Sequence, residues 1–288
     1  MAIITRALSQ NGGIVICAID STDIVRKMES LHTTSATATA ALGRVLTAAS
    51  LMGIWLKNEQ DSLTLRVSGG GAVGTLLAVS DGRGNVRGYC DNPLADAPTR
   101  PDGKLDVAAI VGQDGLLSVA KDIGLKEPYT GQVPLVTGEI AEDITAYYAA
   151  SEQTPTVCAL GVLVNPDLSV RRAGGFLLQL LPGATEEEIA HIEKNIAALP
   201  AITSLLESGL NTQGIAERVL SGFSPGILDE REVSYHCYCS TEKVERILIS
   251  LGRSELEQLR TESPVAEVSC HFCNKKYEVS ISQLLADL

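Results

Sequence analysis

Leu63-Thr-Leu-Arg-Val-Ser-Gly-Gly-Gly-Ala-Val-Gly-Thr-Leu-Leu-Ala-Val-Ser-Asp-Gly-Arg-Gly-Asn-Val-Arg-Gly-Tyr89 is the stretch that decides the fold class. Leu63 to Val67 alternates apolar and polar residues, the period of a half-buried strand. Gly69, Gly71 and Gly74 then satisfy the G-x-G-x-x-G spacing of a dinucleotide site. Such a site requires a helix next, whose N-terminus meets the pyrophosphate, and an acidic residue about 20 positions on. Asp91 falls near that distance, but Thr75-Leu-Leu-Ala-Val79 reads as another strand. The glycines are therefore read as a tight sheet turn. Thr75 to Ser80 and Asn85 to Tyr89 flank Asp81-Gly82-Arg83-Gly84, the pattern of a hairpin around a glycine turn. Consecutive antiparallel strands point to an α+β fold with a mixed or antiparallel sheet, not a doubly wound one.

Outward from this hairpin, Ile14 to Ile19 reads as a short apolar strand after Asn11-Gly12-Gly13. Thr37 to Lys57, rich in Ala and Leu, reads as a mostly buried helix. Gly131 to Val136 and Thr156 to Val164 are further strands, with a helix over Thr137 to Ala150 between them. Residues 1–178 are thus expected to form the α+β core. Residues 179–227 read as a helical linker region. Thr185 and Glu188 form a capping box there, and Ile189, Ile192, Ile196 and Leu199 follow at helical spacing. Pro200 interrupts, Gly209 closes a second helix, and Ile215, Val219 and Leu220 mark a third. Ser224-Pro225-Gly226 is the boundary signal. This region is equally a covering layer on the sheet or a switchable linker.

Residues 228–288 carry the chemistry. Cys237 and Cys239 form C-x-C, and Cys270 and Cys273 form C-x-x-C. Two such pairs can deliver four sulfurs to a tetrahedral Zn²⁺. Val233 to Cys237 is a strand candidate, and Cys270-His-Phe-Cys273 a knuckle between strands Val265–Cys270 and Tyr277–Ile281. Thr241 to Leu251 reads as a helix ended by Gly252, and Ser254 with Glu257 as the cap of another. A fold of under ~70 residues has too little core to be stable unaided. A structural zinc contributes ~10–16 kcal/mol of apparent binding free energy, so its removal is expected to unfold this part. A static zinc staple and a disulfide framework are the plainer readings of the same cysteines. His236 and His271 flank the ligands and are read as bystanders or outer partners of the metal. Cys17 and Cys158 sit in apolar strands as core thiols, and Cys90 is open to either reading.

Composition sets the class. The 288 residues carry 45% hydrophobic and 20% charged residues, ordinary for a globular protein. A net charge of −12 repels phosphate backbones, so no nucleic-acid partner is expected. The first residues carry no signal-peptide pattern, and the longest apolar stretch, Val45 to Leu56, is too short to span a bilayer. A cytoplasmic protein with no membrane association follows. Reducing conditions there favour metal over lasting disulfides at paired cysteines. No catalytic triad, Walker loop or paired-carboxylate site is found, and no enzymatic activity is expected.

C-x-C, a spacer of about thirty residues and C-x-x-C resemble the redox-regulated 33-kilodalton heat-shock chaperone family. Arg87-Gly-Tyr89, Lys121-Asp122, Glu127-Pro128-Tyr129, Gly138-Glu139-Ile140 and Ser151-Glu152-Gln153 resemble that family's core stretches. The resemblance implies an ATP-independent holdase, zinc-bound and inactive when reduced, and active when oxidised. It implies disulfides Cys237–Cys239 and Cys270–Cys273, release of zinc, a homodimer in the oxidised state, and hand-over of unfolding clients to ATP-dependent chaperones. Residues 1–178 would be the client-binding and dimerisation part. The alternative is a zinc-ribbon regulator of nucleic acid, which should carry a basic face; Lys275-Lys276 is the one basic doublet near the knuckle. A zinc hydrolase would need an open coordination position, which four thiolates close.

Overall fold

The structure, a computed structural model, describes residues 1–286. Strand β1 (Ala2–Leu8) leads through a Ser9–Gly13 turn into β2 (Ile14–Asp20). β2 is an unbroken apolar run because both of its faces are covered. Ile14, Ile16 and Ala18 enter one cluster, and Cys17 and Ile19 the other. Helix α1 (Thr22–His32) precedes α2 (Ala36–Gly53), whose N-cap Ser35 accepts a hydrogen bond from the Ala38 amide. Nearly every residue of α2 is buried, which its Ala/Leu composition allows and a polar stripe would forbid.

The deciding stretch forms β3 (Ser62–Ser68), β4 (Thr75–Asp81) and β5 (Val86–Cys90), paired antiparallel in sequence. No helix follows the glycines. A Cβ on Gly69 would stand 2.3 Å from the Gly112 carbonyl oxygen, so the turn is glycine-rich because backbone packs on backbone. After α3 (Val107–Val111), strands β6 (Leu116–Asp122) and β7 (Tyr129–Pro134) complete a sheet in the order β5-β4-β3-β6-β7. Helix α4 (Ala141–Tyr147) ends in a π-helical turn, Tyr148–Glu152, shorter than the helix expected over 137–150. Residues 136–140 instead wrap the buried Asp143. Its carboxylate accepts the amides of Val136, Thr137 and Gly138 on one oxygen and of Ile140 on the other.

Strands β8 (Thr156–Val164) and β9 (Val170–Leu180) return to β2, and β10 (Gly226–Val233) pairs with β1. The second sheet is β10-β1-β2-β9-β8, again wholly antiparallel. Helix α2 packs against strands of both sheets, and the larger core cluster joins their facing sides. Helices α5 (Glu186–Ala197), α6 (Ile202–Glu207) and α7 (Thr212–Val219) cover the other face of the β2 sheet. The Thr185/Glu188 capping box forms as expected. Among the described residues, no helix is long and apolar enough to cross a membrane.

The chain divides into two compact units, Met1–Tyr235 and His236–Leu288. The helical region and β10 therefore belong to the first unit, and this break lies beyond the 227/228 boundary read from the sequence. The expected strand over Val233–Cys237 ends at Val233. Beyond it, Val86 N–H donates to Ser234 O at 2.9 Å, and the Tyr235 hydroxyl donates to Gly88 O at 2.8 Å. In the second unit, α8 (Thr241–Ile249), α9 (Arg253–Glu262), β11 (Val265–Ser269), β12 (Lys276–Ser280) and α10 (Ile281–Ala286) surround a small core. Helix α9 starts two residues earlier than expected. Gly252 is its N-cap and Ser254 lies inside it, because the positive φ of Gly252 already turns the chain.

Candidate metal centre

Cys237 and Cys239 lie in extended chain, just ahead of Ser240, the N-cap of α8. The Ser240 hydroxyl accepts the Lys243 amide, which fixes where the helix starts and where the C-x-C ends. Cys270 and Cys273 occupy the tight connection of the β11–β12 hairpin. Cys270 N–H donates to Lys275 O at 3.0 Å, and Asn274 N–H donates to Cys270 O at 2.8 Å. Asn274 takes a left-handed φ of +56°, a conformation its side chain tolerates better than most. The knuckle expected from C-x-x-C is formed; β11 stops one residue sooner than expected, at Ser269, and β12 begins one residue earlier, at Lys276.

The four sulfurs lie within 4.8 Å of one another. Cys237 and Cys270 are 3.6 Å apart and Cys239 and Cys273 3.4 Å apart. Zinc–sulfur bonds of about 2.3 Å in a tetrahedron set the sulfurs about 3.8 Å apart, so this donor set fits Zn²⁺ with only small adjustment. His236 stacks near Tyr238 at 4.3 Å between ring centroids and is not part of the sulfur group; neither is His271. Both of these separations run between the motifs and both exceed the length of a disulfide bond, so closing either requires the sulfurs to shift.

The thiols are half-buried, reachable by a small oxidant. Burial pushes Cys237 and Cys273 up. Burial also opposes ionisation of Cys239, but hydrogen bonds from Tyr277 and the other three thiols outweigh it and bring its pKa down to about 7. One thiolate among four close thiols is the start of a metal-binding set, since the thiolate is both ligand and nucleophile. Tyr277 is the site residue that sequence reasoning missed. Its hydroxyl donates to Cys239 Sγ at 3.0 Å. The available signal was its parity on β12: Tyr277 and Val279 alternate with charged and polar residues, so both face inward.

The other cysteines belong to the first unit. Cys17 and Cys158 are buried core thiols whose pKa burial raises, as expected. Cys90, open in the sequence, is also buried, and its pKa is pushed up to about 12 by burial and then by Asp91. Three of the stretches that carried the resemblance contribute to two ion-pair centres. Glu152 accepts from Lys121 Nζ at 2.7 Å and from the Tyr147 hydroxyl at 2.6 Å. Glu139 joins Arg44 and Arg100.

A family model described as Hsp33 protein matches residues 3–280. A 33 kDa chaperonin of Clostridioides difficile (strain 630) is 49% identical over 282 residues, covering 98% of this chain and 97% of that protein. One from Bacillus cytotoxicus is 44% identical over 288 residues, covering 99% of each. The crystal structure of a 33 kDa chaperonin from Thermotoga maritima superposes with a TM-score of 0.90 at 36% identity, covering 99% of this chain and 98% of that one.

Proposed function

Because this chain belongs to the Hsp33 family, we propose that it is a redox-regulated, ATP-independent holdase of the cytoplasm, a binding protein and not an enzyme. Residues 1–178 act as the client-binding and dimerising part, 179–227 as a switchable helical linker, and 228–288 as the redox-sensing part. Cys237, Cys239, Cys270 and Cys273 hold zinc in the reduced protein. The observation that carries this reading is the convergence of four half-buried sulfurs within 4.8 Å in a unit with a core of eight buried apolar side chains. Bound zinc would supply the cross-link that so small a core lacks, and would keep all four sulfurs as thiolates.

A thiolate attacks peroxide; an S–O bond forms, the O–O bond breaks, and the departing hydroxide is protonated to water. The neighbouring thiol then displaces water from the sulfenic acid to give the disulfide. We assign the pairs as Cys237–Cys239 and Cys270–Cys273. Each disulfide removes two ligands, so two turnovers dismantle the centre and the second unit loses its main stabilisation. The linker helices, with Ile189, Ile192 and Ile196 on one stripe of α5, then supply apolar surface for unfolding clients. The oxidised protein forms a homodimer and passes its clients to ATP-dependent chaperones.

The nucleic-acid alternative is weaker. Lys276 is paired with Glu267, and Lys275 stands over the Tyr277 ring, so the one basic doublet of the knuckle is engaged within the unit. The test is zinc content measured beside suppression of client aggregation, before and after peroxide at elevated temperature. Zinc release with a gain of holding activity, reversed by reductant, is expected. Retained zinc with unchanged activity would reduce the metal to a staple and refute the proposal.

A further inference from the structure

Cys239 receives a hydrogen bond from a phenol whose position is fixed by the core. Tyr277 is the second residue of β12, pairs with Val268 across the hairpin, and is 5% exposed in the core of the second unit. A tyrosine ring held in this way leaves its hydroxyl one rotatable bond, so the donor cannot wander from the sulfur. The Lys275 ammonium stands 4.9 Å from the ring centroid. A cation over the ring draws electron density from it and makes the hydroxyl a stronger donor. Hydrogen bonds to a charged acceptor are about twice as strong as neutral ones, so this contact gains strength when Cys239 is a thiolate.

We propose that Tyr277 is a positioning residue of the thiol centre: its hydroxyl holds Cys239 in place as a ligand and lowers the reactivity of that sulfur toward peroxide. The proposal rests on the reading that the four cysteines bind a metal and are oxidised. In the loaded centre every sulfur is already a thiolate, so oxidation rate follows intrinsic nucleophilicity, not thiolate fraction. A donor on the sulfur spreads its negative charge and weakens its attack on the peroxide oxygen. The same donor restrains the side chain against leaving the metal. Removing such outer partners typically weakens metal binding by about 10–100-fold.

Tyr277→Phe in the full chain keeps the ring in the core and deletes only the donor. The reduced, zinc-loaded variant is mixed anaerobically with a chromogenic chelator, and zinc transfer is followed. Limiting peroxide is then applied in a separate experiment, with alkylation and peptide mass spectrometry reporting the oxidation of Cys239. Zinc transfer roughly tenfold or more faster, and faster oxidation of Cys239, with an unchanged circular dichroism spectrum, is expected. Site-specific 3,5-difluorotyrosine at position 277, a stronger donor of similar size, should shift both rates the other way. A packing role would leave both rates unmoved in both variants. Wild-type rates in Tyr277→Phe, or in the fluorinated protein should the first variant fail to fold, would overturn the proposal while leaving the metal centre intact. Failure of the wild-type protein to bind zinc would instead overturn the functional reading, and this proposal with it.

Discussion

Replacing Ile192 by alanine should free α5 without unfolding the sheet beneath it. Ile192 is the one fully buried side chain of α5, at 2% exposure, with Ile196 and Leu199 only partly buried beside it. The substitution removes three carbons from a packed site. At about 0.8 kcal/mol per buried carbon the transfer loss is about 2.4 kcal/mol, and the residual cavity raises it within the usual 2–5 kcal/mol. Its other attachments include the His191 ring against Phe223 and hydrogen bonds near the surface, Asn11 to Glu188 and Asn195 to the carbonyls of Val219 and Ser221. Such bonds contribute ~0.5–1.5 kcal/mol each. The loss therefore falls on the docking of α5. With a tenfold change per 1.4 kcal/mol, its local opening constant should rise roughly 50-fold from the transfer loss alone.

Native-state hydrogen exchange resolved by mass spectrometry reads this directly. Amides of 186–197 in Ile192→Ala should exchange roughly 50-fold faster, while those of 14–20, in the middle of the sheet, keep wild-type protection. In the proposed function the reduced variant should also suppress client aggregation without peroxide. Equal acceleration over the whole first unit would show that α5 is part of one cooperative core. Unchanged exchange over 186–197 would show that Ile192 does not hold the helix. Either result refutes the reasoning.

Stripping the metal with chelator under reducing conditions should abolish exchange protection of the β11–β12 amides and leave β2 and β9 protected. The forfeited ~10–16 kcal/mol exceeds what a small core retains, and unaltered protection of the hairpin would contradict this. Asp143→Asn should cost at least about 2 kcal/mol, because an amide nitrogen must face backbone donors that the carboxylate now satisfies. The corresponding drop in Tm, on the order of 4–8 °C, is measurable by calorimetry. Acid stability should depend on Asp229. Its hydrogen bond from Arg6 holds its pKa below the ordinary carboxylate value, outweighing burial. A depressed folded pKa gives stability that is complete above the ordinary value near 3.9 and is lost as pH falls through the folded one. Asp229→Asn should flatten the decline of Tm below about pH 4 and leave its slope near pH 7 unchanged.

What could be read from the sequence was what repeats locally. β2 and α2 declare themselves because continuous burial needs continuous apolarity, and the 63–89 hairpin because its turn chemistry is explicit. The clustering of the four sulfurs was legible because two short cysteine motifs carry their geometry with them. The failures are elements held by distant partners. β10 reads Gly-Ile-Leu-Asp-Glu-Arg-Glu-Val, with no alternation, because it is an exposed edge strand tied to β1 by Arg6 and Asp229. The turn signal Ser224-Pro225-Gly226 at its start is where the sequence places the boundary. β9 has no counterpart in the sequence reading, and Gly174-Gly175 interrupt its run of side chains. A Cβ on Gly175 would stand 2.6 Å from the Ala159 carbonyl, so the pair serves close strand packing. For Tyr277 the strand parity shows that the ring faces inward, but not that its hydroxyl meets a sulfur 38 residues away.

The two units differ in what holds them together, and this makes a conditional metal centre possible. The first unit buries its apolar residues in two clusters, on both faces of the β2 sheet, and its cysteines are buried and held as thiols. None of its sulfurs belongs to the four-cysteine cluster. Its last residues are anchored by backbone and phenol hydrogen bonds, Val86 to Ser234 and Tyr235 to Gly88, two positions before the first ligand cysteine. From Cys237 onward the chain depends on eight buried side chains and four sulfurs. A change of sulfur chemistry therefore acts on a segment that has little else to hold it, and it stops at residues anchored by groups peroxide does not touch. Distributing the same cysteines through the first unit would have produced either inert core thiols, as at Cys17 and Cys158, or damage to the whole fold. In the proposed function, confining them to a small core is what would convert an oxidation event into the unfolding of one part.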